Sequence, residues 1–226
     1  LLLLLYFADI PYLGNEVPFY LCRMTRKIWL AGQVVYIVCA TAIYTVAILL
    51  STILICGQRC YVGNIWSETA VKLAFTSAGK KLSLAASEKT LELTRPYACM
   101  TTIFFLLFAY ALVMVLLIFW FRILWNELAG MIAGVVFNGI SFIFSPGVLQ
   151  KLLGISERKS YLANVAAGWI SPLSHATYHL HNFGYDRLPS LRDSGIYDMV
   201  LVIVLILLNL YSIRTYHFVF DGTGER

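Results

Sequence analysis

The chain has 226 residues, of which 60% are hydrophobic and only 13% charged, with a formal net charge of +5 and a mean hydropathy of +0.77. Soluble domains are about half apolar and about a quarter charged, so the composition excludes an ordinary soluble domain and indicates an integral membrane protein. The basic residues are spread over loops with no dense tract, which leaves no support for nucleic-acid binding.

The chain opens in an apolar run, Leu1 to Phe7, too short for a hydrocarbon core that takes about 20 helical residues. It reads as the end of a span whose beginning, with the true N-terminus, lies outside the visible sequence. Pro11 to Gln33 follows as the most polar and most basic segment beside a long apolar run. Over about residues 17–30 a helical wheel puts Val17, Leu21, Met24 and Ile28 on one face and Arg23, Arg26 and Lys27 on the opposite one, with Pro18 suited to a first turn. An amphipathic helix of this kind serves as an anionic-lipid anchor or as a docking surface for a cytoplasmic partner, and the residues support the two equally.

Val34 to Ile55 is the first full span, with Thr41, Tyr44, Thr45, Ser51 and Thr52 on a loosely polar side expected to turn away from lipid. The loop Cys56 to Cys99 carries Ile65, Trp66, Thr69, Ala70, Leu73 and Ala74 at helical spacing, which predicts a short amphipathic helix. Met100 to Phe121 and Leu128 to Leu149 are spans joined only by Arg122 to Glu127, so they form a tight helical hairpin. Gly130, Gly134 and Asn138 share a stripe that lets helices approach closely. An intramolecular seam is the plainer use of that stripe; a dimer interface or a substrate path continuing along Ser141 and Phe142 is the functional one.

In the loop from Gln150 to Gly195, the stretch Tyr161 to Leu180 lacks formal charge yet holds Gly168 and Pro172. It predicts a re-entrant or interfacial helix pair broken near Ser171 and Pro172, because irregular backbone at membrane depth survives only inside protein or along a cavity. Ile196 to Ile213, whose only charge is Asp198, is the last span. The expected fold is all-α, a single polytopic transmembrane bundle over residues 1–226 with five visible spans. The long loops, 56–99 and 150–195, lie on one face of the membrane, and the segment before Val34, the hairpin turn and the C-terminal tail lie on the other. A bare count of Lys and Arg puts the long loops inside, whereas the tight cluster Arg23, Arg26 and Lys27 beside a span favours the opposite orientation, which is adopted here.

Chemistry of the chain's own has few candidates. His175, His179 and His181 fall within one short stretch, and the first two are a helical turn apart. A catalytic zinc usually takes a third ligand, an open position and a general base, so a membrane metalloenzyme is the minor reading and interfacial hydrogen bonding the major one. The five cysteines form no pair of zinc-type units. Gly79, Lys80 and Lys81 lack the upstream glycine of a phosphate loop, and no GxSxG motif occurs. No catalytic residue, metal or cofactor is assigned to the chain itself; energy for any uphill transport would come from elsewhere.

The run FADIPYLGNEVPFYLCRMTRKIWLAGQ before a span, the hairpin of Met100 to Leu149 and the broken segment at Ser171, Pro172, Leu173 and Ser174 together resemble the type-2 class of ATP-binding-cassette (ABC) exporter permeases. The resemblance rests on span order, loop lengths and the RxxRKxW pattern, and covers the visible chain. It implies a coupling helix, with Arg23, Met24, Arg26, Lys27 and Trp29 meeting a separate P-loop ATPase subunit that holds ATP and Mg. It further implies a second permease subunit in a homo- or heterodimer, and export of an apolar or amphipathic substrate across a bacterial cell membrane. On that reading Gly130, Gly134, Asn138, Ser141, Phe142, Thr41 and Tyr44 form a substrate path or dimer seam. A noncatalytic membrane subunit or immunity protein is a third expectation, with no ATPase partner.

Overall fold

A computed structural model describes residues 2–7, 10–11, 23–57, 62–76, 88–152, 154, 159–184 and 186–216. The described residues are helical and contain no strand. In chain order the helices are α1 Leu2–Tyr6, α2 Arg26–Cys56, α3 Glu68–Phe75, α4 Glu88–Leu93, α5 Pro96–Leu124, α6 Glu127–Ile143, α7 Pro146–Leu152, α8 Ser160–Ile170, α9 Pro172–Ala176 and α10 Leu191–Ser212, with a 3-10 turn at Tyr178–Leu180. Among them α2, α5 and α10 are long and apolar enough to cross a membrane, and the bent pair α6 and α7 makes a fourth if counted as one span.

Local chemistry sets the helix ends. Pro96 and Pro172 occupy first-turn positions of α5 and α9, and Pro146 begins α7; there the missing N–H is no loss and the fixed φ is already helical. The Asn64 carboxamide accepts from Tyr97 N at 3.2 Å at the start of α5, and Asn126 accepts from Ala129 N at 2.8 Å to open α6. Only Trp125 and Asn126 separate α5 from α6, so the predicted hairpin is present and tighter than expected. At α10 the Ser190 hydroxyl accepts from Asp193 N while the Asp193 carboxylate accepts from Ser190 N, a complete capping box.

The helix α5 is the centre of the bundle. It packs against α2, α6, α9 and α10, and its residues Ala111 to Leu116, Ile118, Phe119 and Ile123 form most of the main core, together with Phe7, Leu30, Ile37 and Leu205. The outer surface of the bundle is apolar, unlike that of a soluble protein, and polar groups are turned inward. Ile43, Leu54, Val135, Met199, Ile203 and Leu207 face outward, whereas Thr41, Thr45, Arg122, Asp198, Asn209 and Ser212 are buried. Hydrocarbon cannot satisfy polar groups, so spans turn them inward, and this distribution supports the transmembrane assignment.

Several predicted elements change. The run Leu128 to Leu149 is not one straight span: α6 stops at Ile143, and α7 leaves it at 72° after the break that Pro146 terminates. A continued helix would set the proline ring against an upstream carbonyl. The other spans extend beyond their apolar runs, α2 beginning at Arg26 rather than Val34, α5 covering 96–124 and α10 beginning at Leu191 rather than Ile196. Of the polar side of α2, Thr41 and Thr45 are buried but Ser51 and Thr52 face outward, each satisfied by carbonyls of its own helix. The break at Ser171 and Pro172 stands where the sequence places it, between α8 and α9. An amphipathic helix before Gly79 is present as α3, starting at Glu68 rather than Ile65.

The α5–α6 contact can be tested directly. A Cβ placed on Gly134 would stand 2.7 Å from Leu4 Cδ2 and 3.0 Å from Ile118, whereas one on Gly139 meets open space. Gly134→Val is expected to destabilise the protein by about 1–3 kcal/mol, and Gly139→Ala by less than about 0.5 kcal/mol, as read by reversible unfolding in mixed micelles.

Candidate functional site

The basic segment divides on inspection. Residues 12–22, with Val17 and Leu21, lie outside the described residues. Arg23 and Met24 form a turn and bend, Thr25 caps α2 by accepting from Ile28 N, and Arg26, Lys27, Ile28 and Trp29 are the first turn of the span itself. A separate helix over 17–30 is therefore interrupted at 23–25. The expected apolar face changes as well: Ile28 is 57% exposed, while Trp29 is buried and stacks on Tyr216 at 6.4 Å.

Arg26 reaches the far end of the described chain. Its Nη1 donates to Ile213 O at 3.5 Å and Arg214 O at 2.5 Å, the carbonyls of the C-cap of α10 and the turn after it. A cation there compensates the negative end of the helix dipole. Arg122, in the last turn of α5, plays a similar part against α1: it is 4% exposed, and its Nη1 donates to Phe7 O and Ile10 O. Arg23 and Lys27 are exposed, as Arg26 itself is. Of the five residues predicted to meet a partner, Arg23 and Lys27 remain presented as outward-facing cations, Met24 is half-buried in the bend, and Arg26 and Trp29 are engaged with the residues that follow α10.

The glycine stripe of α6 packs within the chain. Gly130 and Gly134 are buried against Arg122, Ile118 and Leu4. Asn138 then closes the seam: its Oδ1 accepts from Tyr110 OH at 2.6 Å, and its Nδ2 donates to Gly134 O at 2.9 Å and contacts Met114 Sδ at 2.8 Å. The seam is intramolecular. Ser141 and Phe142 depart from it. The Ser141 hydroxyl accepts from Leu173 N at 3.1 Å, tying α6 to α9, and Phe142 is 73% exposed. Both line a cavity of about 700 Å³ walled also by Phe144, Asn164, Thr177 and His179. Thr41 and Tyr44 belong to another part of the bundle, Thr41 buried in α2 and Tyr44 stacked on Tyr6 of α1 at 5.9 Å. The seven residues therefore form no continuous path. A second groove of about 450 Å³, apolar and lined by Ile48, Thr52, Trp66, Met100, Ile103 and Phe104, opens between α2 and α5.

The histidines resolve into a buried pair and a cavity residue. His175 and His181 are each 1% exposed and face one another across Ser194, which is fully buried in α10. The Ser194 Oγ lies 2.8 Å from His175 Nδ1 and 2.9 Å from His181 Nε2. The remaining ring nitrogens face carbonyls: His175 Nε2 stands 3.1 Å from Trp169 O, and His181 Nδ1 3.0 Å from Thr177 O and 3.1 Å from Tyr178 O. Tyr197 stacks on His175 at 4.2 Å. Burial holds all three imidazoles below their ordinary pKa, His175 being partly restored by the Trp169 carbonyl. Among the described residues no group of three His, Cys, Asp or Glu is placed to hold a metal, and every ring nitrogen of the buried pair is engaged.

The sequence reading missed Tyr110, Arg122, Ser194 and Asn209 as organising residues. Asn209 donates to Leu205 O at 2.8 Å and Leu116 O at 3.4 Å, and Trp120 Nε1 donates to Ser212 Oγ at 3.0 Å, so polar contacts pin α10 to α5. Tyr110, Arg122 and Asn209 are polar or amphipathic groups within or at the end of an apolar run, which is the signal that could have found them; Ser194 lies in the polar stretch before Ile196 and carries no such signal.

No family model, curated protein or solved structure matches the chain.

The Tyr110–Asn138 bond across the seam gives a measurable coupling. A double-mutant cycle of Tyr110→Phe with Asn138→Leu should return an interaction of about 1 kcal/mol, the upper part of the range for hydrogen bonds between membrane helices. Additive effects of the two substitutions would mean that packing alone holds the seam.

Proposed function

We propose that this chain is the membrane-spanning permease subunit of an ATP-driven exporter in a bacterial cell membrane, its energy supplied by a separate P-loop ATPase. The observation that carries the reading is the order of elements along the chain. An outward-facing basic turn leads directly into α2, a two-residue connection folds α5 against α6, and a helix pair broken at Ser171 precedes the last long helix. This order is the one for which the sequence resembles the type-2 ABC exporter permeases.

In this reading the ATPase docks on Arg23 and Lys27. The rigid α2 then carries its motion into the bundle, because Arg26 and Trp29 tie the start of α2 to the end of α10. The two helices move as a unit when the docking turn is displaced. ATP and Mg belong to the partner, and the driving force is the difference in the partner's contacts with two arrangements of the permease, since a partner bound equally to both shifts neither. The substrate is apolar or amphipathic, in keeping with cavities whose walls are mainly apolar, and a second permease subunit completes the transporter.

Reversing Arg23 and Lys27 to Glu while keeping Arg26 separates docking from folding. The double variant should retain its thermal unfolding midpoint yet lose co-purification with a P-loop ATPase, together with vanadate-sensitive ATP hydrolysis dependent on this chain. An ATPase that still binds and drives export with both charges reversed removes the proposed docking turn; a native complex devoid of ATPase removes the function itself.

A further inference from the structure

The buried His175, Ser194 and His181 cluster has a hydrogen count that fixes its chemistry. A carbonyl oxygen only accepts, so the nitrogens facing Trp169 O, Thr177 O and Tyr178 O carry hydrogens: His175 Nε2 and His181 Nδ1 are both N–H. In two neutral rings the other nitrogens, His175 Nδ1 and His181 Nε2, are then both bare lone pairs. Both are within 2.9 Å of the one Ser194 hydroxyl, which has a single hydrogen to give. The neutral cluster is one hydrogen short. Adding one proton to either facing nitrogen completes it, that ring donating to Ser194 Oγ while the serine O–H donates to the other ring. Adding a second makes both rings donors to Oγ, displaces the serine hydrogen from either ring and sets two cations about one oxygen.

We propose that His175, Ser194 and His181 form a binding site for a single proton shared between the two imidazoles, and that a second proton releases the broken helix pair from α10. The surroundings suit one positive charge. The Trp169 carbonyl belongs to the last turn of α8, where the negative end of the helix dipole lies. From α10 the titratable groups facing the cluster are Asp193, held in the capping box, and Tyr197, stacked on His175; Asp198 lies one helical turn beyond Ser194 on the same buried face. The 3-10 turn contributes His179, and α5 places Cys99 behind Tyr178.

The sign follows from these contacts. Burial lowers the proton affinity of each ring. For the first proton the missing hydrogen opposes that effect, whereas for the second, charge repulsion adds to it. The second proton binds the closed cluster more weakly than an exposed imidazole, so closure is favoured above that step and lost as pH falls through it.

The test uses the full chain in lipid nanodiscs with ¹⁵N-labelled histidine. The rings of His175 and His181, assigned with single Gln variants, should move together through a first proton uptake and separately through a second. Ser194→Ala should weaken the first uptake roughly tenfold or more, and Ser194→Thr should restore it. Amide exchange over residues 171–181 should accelerate through the second step in the native chain, but not in His181→Gln, with α5 protected throughout. Independent titration of the two rings, unmoved by Ser194→Ala, overturns the shared proton. Equal acid opening in His181→Gln overturns the release. Should Ser194→Ala fail to fold, the joint movement of the two rings in the native chain and its persistence in Ser194→Thr decide the matter.

Discussion

Hydrocarbon offers no hydrogen-bond partner, and this constraint organises the whole bundle around α5. A helix enclosed by α2, α6, α9 and α10 can be apolar on all sides, and this one nearly is. Its neighbours then bring their polar groups to it: Asn138 from α6 meets Tyr110, Asn209 from α10 reaches Leu116 O, and Ser212 accepts from Trp120. Each is a directional contact in a core that is otherwise dispersion alone. Packing fixes the distance between helices, and these hydrogen bonds fix their register.

The same constraint explains the uses of arginine here. Arg26 and Arg122 reach backbone carbonyls that follow the C-terminal ends of α10 and α1, each from a segment distant in sequence. Guanidinium suits this because it stays charged and presents several donors in a rigid fork. What distinguishes Arg26 from Lys27 is its position on the wheel of α2 relative to α10, and what distinguishes it from Arg23 is that α2 begins only at Arg26, which no local pattern in the basic segment reveals.

The long helices were legible because an apolar run of spanning length has one stable backbone form in lipid. The hairpin was legible from the shortness of its connection, and the break at Ser171 from a proline amid small residues. The bend before Pro146 was equally present in the sequence but was overruled by the apolar character on both sides of it. For the candidate site the outcome was more uneven. The stripe Gly130, Gly134 and Asn138 pointed correctly to close packing, since small residues have few other uses at that spacing. Ile28 and Trp29 were misassigned because a helical wheel treats the basic segment as free-standing, whereas its last turn belongs to a span with neighbours on a different side. The histidines attracted attention through their mutual spacing, yet the residue that organises them, Ser194, is 13 positions from His181 and is brought in only by the fold.

The break between α6 and α7 also bears on the lipid. With 17 residues, α6 rises only about 25 Å, short of a hydrocarbon layer of about 30 Å, whereas the neighbouring α5 with 29 residues exceeds it. Bilayers answer such a shortfall by thinning beside the short helix at a small cost per ångström. The short flank ends where Ser141 and Phe142 border the larger cavity. The apolar wall of the bundle is therefore uneven in height, short along α6 and longer along α2 and α5.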